Sequence, residues 1–200
     1  MDDTLFDDDD DGSFHWMEGD SLAPPCQADG EIVDAILELA SPVCEGAVLY
    51  DLGCGDGRIC ISAAKRFSGC RSVGCEIEPH LIAKFQANIL KLDASVAERV
   101  TVVHGDLRDL DLVPASIIVL YLLPESVALI RPQLEAALRR GSVLIANTWG
   151  PKGMIPAAKR VAGFGNNVTL LRYDASSLGL ARVGGGADGD GVKEDDEKTP

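Results

Sequence analysis

The chain has 200 residues, of which 46% are hydrophobic and 25% charged, and its 32 acidic and 18 basic residues give a net charge of −14. This length and composition indicate one soluble globular domain. The acidic balance, without a basic stripe, argues against a protein that binds nucleic acid through its phosphates. No apolar run reaches the ~18 residues of a membrane helix, and the acidic N-terminal stretch is neither a secretory signal nor an Arg-rich transit peptide.

The negative charge is concentrated at the two ends of the chain. Residues 1–20 contain nine acids and no lysine or arginine, and residues 187–200 contain six acids and two lysines, so residues 21–186 have a net charge of only −1. The end segments are too polar to bury the apolar surface that offsets the entropy of ordering. We therefore predict acidic disordered tails over 1–20 and 187–200 and one domain over 21–186.

The six cysteines have neither the density of a disulfide scaffold nor the spacing of a metal site. Cys70 and Cys75 are close in sequence, but the chain has no CxxC pair and no histidine placed to complete a ligand set. We predict reduced, partly buried thiols in an intracellular protein and no bound metal.

Helical and strand patterns alternate between the tails. The segment 116–121 is apolar throughout, as expected of a central parallel strand covered on both faces. The alternation predicts an α/β fold with a doubly wound, mainly parallel, Rossmann-like sheet and helices on both faces. Predicted strands span 47–52, 72–77, 100–104, 116–121, 142–148 and 168–173, and predicted helices span 30–40, 59–67, 79–92 and 124–140, the last with a break at Pro132.

A glycine-rich loop follows the first predicted strand, in the segment VLYDLGCGDGR. Gly53, Gly55 and Gly57 permit a tight turn and let a ligand approach backbone N–H groups at a helix N-terminus. A dinucleotide fingerprint would place its third glycine at 58, where Arg58 stands. Asp51 lies two residues before the loop, where a carboxylate would repel a phosphate but would attract a cationic group.

Two further acids follow the next two predicted strands. Glu76 ends the second strand, where a carboxylate can accept hydrogen bonds from both hydroxyls of a ribose. Asp106 follows the third strand, where a carboxylate can accept from an adenine amino group. With Asp51, these acids describe a ligand with a cationic amino group, a ribose and an adenine but no phosphate, which fits S-adenosylmethionine.

These motifs resemble the core of the class I, Rossmann-like S-adenosylmethionine-dependent methyltransferases. The resemblance implies that Asp51 and the three loop glycines frame the methionine end of the cofactor. It further implies that Glu76 holds the ribose, that Asp106 faces the adenine and that Ile77 packs on the adenine ring.

A closer resemblance is carried by YDLGCGDGR and by IIVLYLLPESVALIRPQLEAALRRGSVLIANTW. Both strings are similar to the small family of protein-lysine methyltransferases that modify the c subunit of ATP synthase and the adenine nucleotide translocase. That family's LYLLP is present at 120–124. The resemblance implies a protein substrate that bears a lysine and offers a mitochondrial location as the alternative to a cytoplasmic one. The acidic N-terminal stretch stands where vertebrate members have a hydrophobic targeting segment, so we expect a cytoplasmic protein.

The substrate pocket is expected at the carboxyl ends of the fourth and fifth strands. Tyr121 is the candidate catalytic residue, because its hydroxyl could orient an amine, although packing beneath the next helix would also explain it. Pro124 begins that helix at the pocket. Asn147 and Trp149 are predicted to form the opposite wall, and core packing is an equal explanation for Trp149.

The predicted activity is therefore that of an S-adenosylmethionine-dependent methyltransferase acting on protein lysine. A DPPY or NPPY tetrapeptide is absent, which argues against an adenine methyltransferase of nucleic acids. Two alternatives stay open: a non-catalytic S-adenosylmethionine-binding module and a small-molecule methyltransferase. The sequence does not determine the oligomeric state.

Overall fold

Helices and strands alternate along the chain in the computed structural model, which describes residues 28–179. The strands are β1 (Val48–Leu52), β2 (Arg71–Glu76), β3 (Val100–His104), β4 (Ile117–Leu120), β5 (Val143–Asn147), β6 (Ala158–Ala162) and β7 (Val168–Tyr173). The helices are α1 (Gly30–Ala40), α2 (Arg58–Arg66), α3 (Pro79–Ile89), α4 (Ala94–Ala97) and α5 (Pro124–Arg139).

The strands form one sheet in the order β3-β2-β1-β4-β5-β7-β6. The pairings among β1 to β5 are parallel, whereas β7 runs antiparallel to both of its neighbours, β5 and β6. The carboxyl ends of β1 to β5 therefore lie along one edge of the sheet, which we call the carboxyl edge. The chain order reverses between β1 and β4, and ligands bind α/β sheets at such a point.

Two apolar cores cover the two faces of the sheet. One contains the buried faces of α1 and α2 together with Phe85 of α3, and the other contains the buried face of α5. Helix α1 begins where the Asp29 side chain accepts a hydrogen bond from the Ile32 N–H at 2.8 Å, a normal N-cap. The α/β class, the mainly parallel sheet and the helices on both faces are as predicted.

Apart from small differences at the ends of elements, three details of the predicted secondary structure were wrong. Helix α4 was not predicted, because it has only four residues and none of them is buried. Strand β6 was not predicted, because it is an edge strand in which only Ala162 is buried and so lacks an apolar pattern. Helix α5 continues through Pro132 without the expected break. Pro132 and Ala128 are both exposed, so the carbonyl of Ala128, which loses its partner N–H, can bond to water.

Several expectations from the sequence concern residues outside the described range. The acidic tails, the outer parts of the predicted 21–186 domain and Cys26 all lie beyond residues 28–179. Within that range no helix has the length and apolar character needed to cross a membrane. Cys44 is exposed there, and the other four described cysteines are buried free thiols.

Candidate active site

Asp51 occupies the carboxyl edge in the middle of the sheet. It lies in β1 between Gly74 of β2 and Val119 of β4, and its exposed fraction is 3%. Burial, followed by the nearby carboxylates of Glu76 and Asp56, raises the pKa of Asp51 from 3.8 to about 7. All three influences act in the same direction, so the site favours a bound cation over a bound anion.

The loop that follows β1 is a tight turn held to β2. The N–H groups of Gly53 and Cys54 both donate to the carbonyl of Cys75, at 2.9 and 3.1 Å. Gly53, Gly55 and Gly57 have φ values of 80°, 55° and 81°, a region that side chains with a Cβ rarely adopt. The GxGxG spacing is thus required by the backbone path between β1 and α2.

The third glycine is also required for packing. A Cβ on Gly57 would lie 2.0 Å from the ring of Phe85, and one on Gly74 would lie 2.5 Å from the Cys54 sulfur. Phe85 of α3 is fully buried. These close approaches hold α3 against the loop and β2, whereas a Cβ on Gly55 would meet nothing within 4 Å. Gly55 therefore leaves open space where a ligand could approach.

Glu76 ties the end of β2 to the glycine loop. One carboxylate oxygen accepts from the Gly55 N–H at 2.9 Å, and the other accepts from the N–H groups of Ile77 and Glu78 at 2.8 and 3.1 Å. Glu76 is buried, with an exposed fraction of 7% for the whole residue. Glu76 thus orients the loop from the end of β2, at the carboxyl edge, where the sequence predicts a contact with ribose hydroxyls.

A buried ion pair, not singled out from the sequence, braces the same loop. Arg58 donates to both carboxylate oxygens of Asp56, at 3.1 and 2.9 Å, and these residues are 8% and 1% exposed. The guanidinium also donates to the carbonyl of Ala28 at 2.8 Å. The pair thereby joins the loop to the segment that precedes α1. The presence of an arginine two residues after an acid within GDGR was the only sequence signal for it.

Asp106 and Ile77 lie further along the carboxyl edge. The Asp106 carboxylate accepts from the Arg108 backbone N–H at 2.8 Å and from its guanidinium Nε at 2.9 Å. These hydrogen bonds to Arg108 lower the pKa of Asp106. Asp106 is therefore both the cap of the 3-10 helix Leu107–Asp109 and an ionised acceptor. The side chain of Ile77 is 54% exposed, so its apolar surface is accessible to a ligand.

The expected substrate residues follow β4 and β5. Tyr121 is half-buried and Asn147 is 3% exposed. The rings of Tyr121 and Trp149 stack with their centroids 5.9 Å apart and an interplanar angle of 15°. This stacked pair, which we call the aromatic wall, borders the cleft through Tyr121, because Trp149 is not among the residues that line the cleft. Pro124 is the exposed first residue of α5.

One cleft brings part of the predicted set together. Its wall includes Asp51, Gly53 and Gly55 from the cofactor set and Tyr121 and Asn147 from the substrate set. It does not include Gly57, Glu76, Ile77, Asp106, Pro124 or Trp149. Residues in the wall that the sequence did not single out are Ala28, Ile36, Cys54, Asp56, Arg58, Ile59, Val119 and Leu120.

The chemistry of this cleft fits S-adenosylmethionine. The buried carboxylate of Asp51 has the like charges of Glu76 and Asp56 near it. It therefore suits the ammonium and sulfonium charges of that molecule, whereas it would repel a phosphate. The open space at Gly55 and the carboxylate of Glu76 suit an adenosyl group beside the loop. This site, on a sheet with an antiparallel seventh strand inserted beside β5, defines a Rossmann-like S-adenosylmethionine-dependent methyltransferase.

The chain belongs to the ANTKMT methyltransferase domain family, whose match spans residues 51–158. It is 35% identical over 130 residues to a protein-lysine N-methyltransferase of Saccharolobus islandicus, covering 62% of this chain and 79% of that one. It is also 32% identical over 107 residues to a carboxy-S-adenosyl-L-methionine synthase of Chromohalobacter salexigens, covering 50% of this chain and 39% of that one.

A solved structure gives the same result for the fold. An RNA methyltransferase of Salinibacter ruber, in complex with S-adenosyl-L-homocysteine, aligns with a TM-score of 0.66 and 37% identity. The alignment covers 74% of this chain and 92% of that one. The family match and these similarities confirm the predicted enzyme class and its cofactor, S-adenosylmethionine.

Proposed function

We propose that this enzyme transfers the methyl group of S-adenosylmethionine to the side-chain amine of a lysine in a protein. The observation that carries the proposal is the half-buried ring of Tyr121 beside the buried Asn147 in the lining of the cleft, with Trp149 stacked against the Tyr121 ring. The wall offers apolar surface to an aliphatic stem and polar groups to the amine at its tip. The similarity to a protein named as a lysine N-methyltransferase supports the same substrate class.

Bound S-adenosylmethionine supplies an activated methyl group on a sulfonium. The chain's own residues then have three tasks: Asp51 and Glu76 orient the cofactor, the aromatic wall excludes water, and Asn147 and Tyr121 orient the acceptor amine. An unperturbed lysine has a pKa near 10.4, so its amine must be neutral before it can attack. Desolvation beside the Tyr121 ring lowers the pKa of the amine, which loses its proton to solvent as it enters the cleft.

A purified-enzyme assay tests the proposal directly. The full chain is incubated with S-adenosylmethionine labelled on the methyl group and with cell extract, and the labelled material is separated and acid-hydrolysed. Labelled methyl-lysine from a protein band is the expected result. Label that nuclease removes, or label confined to small molecules, contradicts the proposal, and the first outcome would match the substrate class named for the Salinibacter protein.

Two tyrosines provide a matched pair of variants for this assay. Tyr121→Phe removes a hydroxyl at the cleft, whereas Tyr173→Phe removes one in the core on the α5 face, where Tyr173 is 2% exposed. We expect Tyr121→Phe to lower the rate of protein labelling at least about tenfold, the value of one aligned hydrogen bond in the transition state. Tyr173→Phe should leave that rate close to that of the wild type.

A further inference from the structure

Strand β5 ends in an unusual turn at the substrate side of the cleft. The Trp149 N–H donates to the carbonyl of Asn147 at 2.7 Å, which closes a three-residue γ-turn around Thr148. The φ of Thr148 is 64°, and a γ-turn with a positive central φ is rare and strained. A β-branched residue in this region is an outlier, where glycine or asparagine would adopt the same backbone at lower cost.

The packing of Thr148 itself does not explain the choice of residue. Thr148 is exposed, so its methyl group is not needed to fill the core. Its N–H donates to the carbonyl of Thr169 at 2.8 Å, a backbone bond that any residue except proline would make. Strain that the side chain's own packing does not offset is typical of positions that serve a site.

The hydroxyl of Thr148 does have a specific partner in the cleft. Thr148 Oγ1 donates to Asn147 Oδ1 at 2.9 Å, and Asn147 is 3% exposed and lines the cleft. The hydroxyl thus fixes the rotation of a buried amide. An amide fixed in this way presents the same polar atoms to each substrate, with no freezing of rotation on binding.

The same turn also places Trp149. Because the chain reverses within three residues, the Trp149 ring reaches the Tyr121 ring, which lines the cleft after β4. Opening of the turn would therefore displace the Asn147 amide and the aromatic wall together. Thr148 controls both from a position outside the cleft wall.

We infer that Thr148 is a positioning residue, whose strained turn and hydroxyl hold the Asn147 amide and the Trp149–Tyr121 wall in place for the methyl acceptor. The inference rests on the proposed function for the identity of the acceptor as an amine. It goes beyond that function in assigning the geometry of the substrate side to one exposed threonine.

Two variants separate the hydroxyl from the shape of the side chain. Thr148→Val keeps the branched shape and removes the hydroxyl, whereas Thr148→Ser keeps the hydroxyl. We expect Thr148→Val to lower kcat for labelling of extract acceptors at least about tenfold, the effect of losing one oriented hydrogen bond, and Thr148→Ser to stay within about threefold of the wild type. The Kd for S-adenosylhomocysteine should not change in either variant, because the cofactor end of the cleft is not altered.

A second measurement does not depend on turnover. With Trp16 replaced by Phe, fluorescence reports Trp149, since the chain contains two tryptophans. Thr148→Val should shift the emission and increase quenching by acrylamide, and Thr148→Ser should not. Equal spectra and equal kcat for the two variants would overturn the inference, as would a Kd that rises in proportion to the loss of kcat.

The outcome for Thr148 is distinguishable from the outcome for the proposed function. Hydrolysis of the wild-type product identifies the acceptor. Methylated RNA would contradict the lysine proposal, but it would not affect the ratio of the labelling rates of Thr148→Val and Thr148→Ser. The fluorescence comparison decides the placement of Trp149 even if no acceptor in the extract is labelled.

Discussion

Replacement of Asp51 by asparagine should stabilise the ligand-free protein while it weakens cofactor binding. Asp51 is 3% exposed, and burial and the Glu76 and Asp56 carboxylates raise its pKa to about 7. An asparagine has almost the same shape and no charge. The substitution therefore removes an electrostatic penalty from the fold and an electrostatic attraction from the cofactor site.

The size of the stabilising effect follows from the displacement of the pKa. A rise from 3.8 to about 7 corresponds to about 4 kcal/mol at 1.36 kcal/mol per unit. The folded pKa lies above the unfolded one. Asp51 therefore does not destabilise the fold below pH 4, where it is protonated in both states, and the free energy of unfolding falls as the pH rises from 4 to 7. At pH 8 we expect Asp51→Asn to raise the free energy of unfolding by up to about 4 kcal/mol, and at pH 4 we expect almost no gain.

The effect on the cofactor has the opposite sign. A charge-assisted hydrogen bond contributes about 1.5–3 kcal/mol, so the Kd for S-adenosylhomocysteine should rise about 10- to 150-fold in Asp51→Asn. In the wild type, protonation of Asp51 should weaken binding about tenfold for each pH unit below 7, until the Kd approaches that of the Asp51→Asn variant. In the variant this dependence should disappear.

Urea unfolding at pH 4 and pH 8 and isothermal titration calorimetry at several pH values measure both effects. Glu98→Gln is the matched control, because Glu98 is exposed and its replacement removes the same charge far along the chain from the glycine loop. A ligand-free Asp51→Asn protein that is less stable than the wild type at pH 8, or one that binds S-adenosylhomocysteine equally well, would refute the reasoning.

Two further pairs of substitutions test how the glycine loop is held. Gly57→Ala should destabilise the protein by about 2–5 kcal/mol, because it combines a left-handed backbone with overpacking against Phe85, whereas Gly55→Ala, with open space around its Cβ, should cost only about 1–2 kcal/mol. Equal losses in urea unfolding would contradict the role of Phe85. Arg58→Met should cost about 3–5 kcal/mol by leaving Asp56 buried without its partner, and adding Asp56→Asn should restore part of that loss. An unchanged unfolding midpoint in Arg58→Met would show that the pair does not brace the loop.

The class of the enzyme could be predicted from local sequence because its signals are short and backbone-determined. The spacing of Gly53, Gly55 and Gly57 reflects positive φ values at three alternate positions, which few residues other than glycine tolerate. Asp51 and Glu76 are each placed by the end of a strand. Parallel strands bring their carboxyl ends to one edge, so the meeting of these acids followed from the alternation of strands and helices.

The parts of the fold that escaped prediction depend on exposure and on pairing. Strand β6 is a strand because β7 supplies its hydrogen bonds, and its own residues are largely exposed, so no apolar pattern marks it. Pro132 stays within α5 because it faces solvent, and the sequence does not state which side of a helix will face the core at a given proline.

The sequence by itself determined the cofactor side of this protein, and the tertiary structure decided the substrate side. Cofactor recognition depends on motifs of a few residues whose backbone conformation and strand ends are locally encoded. The stacking of Tyr121 on Trp149, the ion pair that joins the loop to Ala28 and the strained turn at Thr148 depend on how separate strands lie beside one another. Such contacts are set by the packing of the whole sheet, which no local pattern specifies.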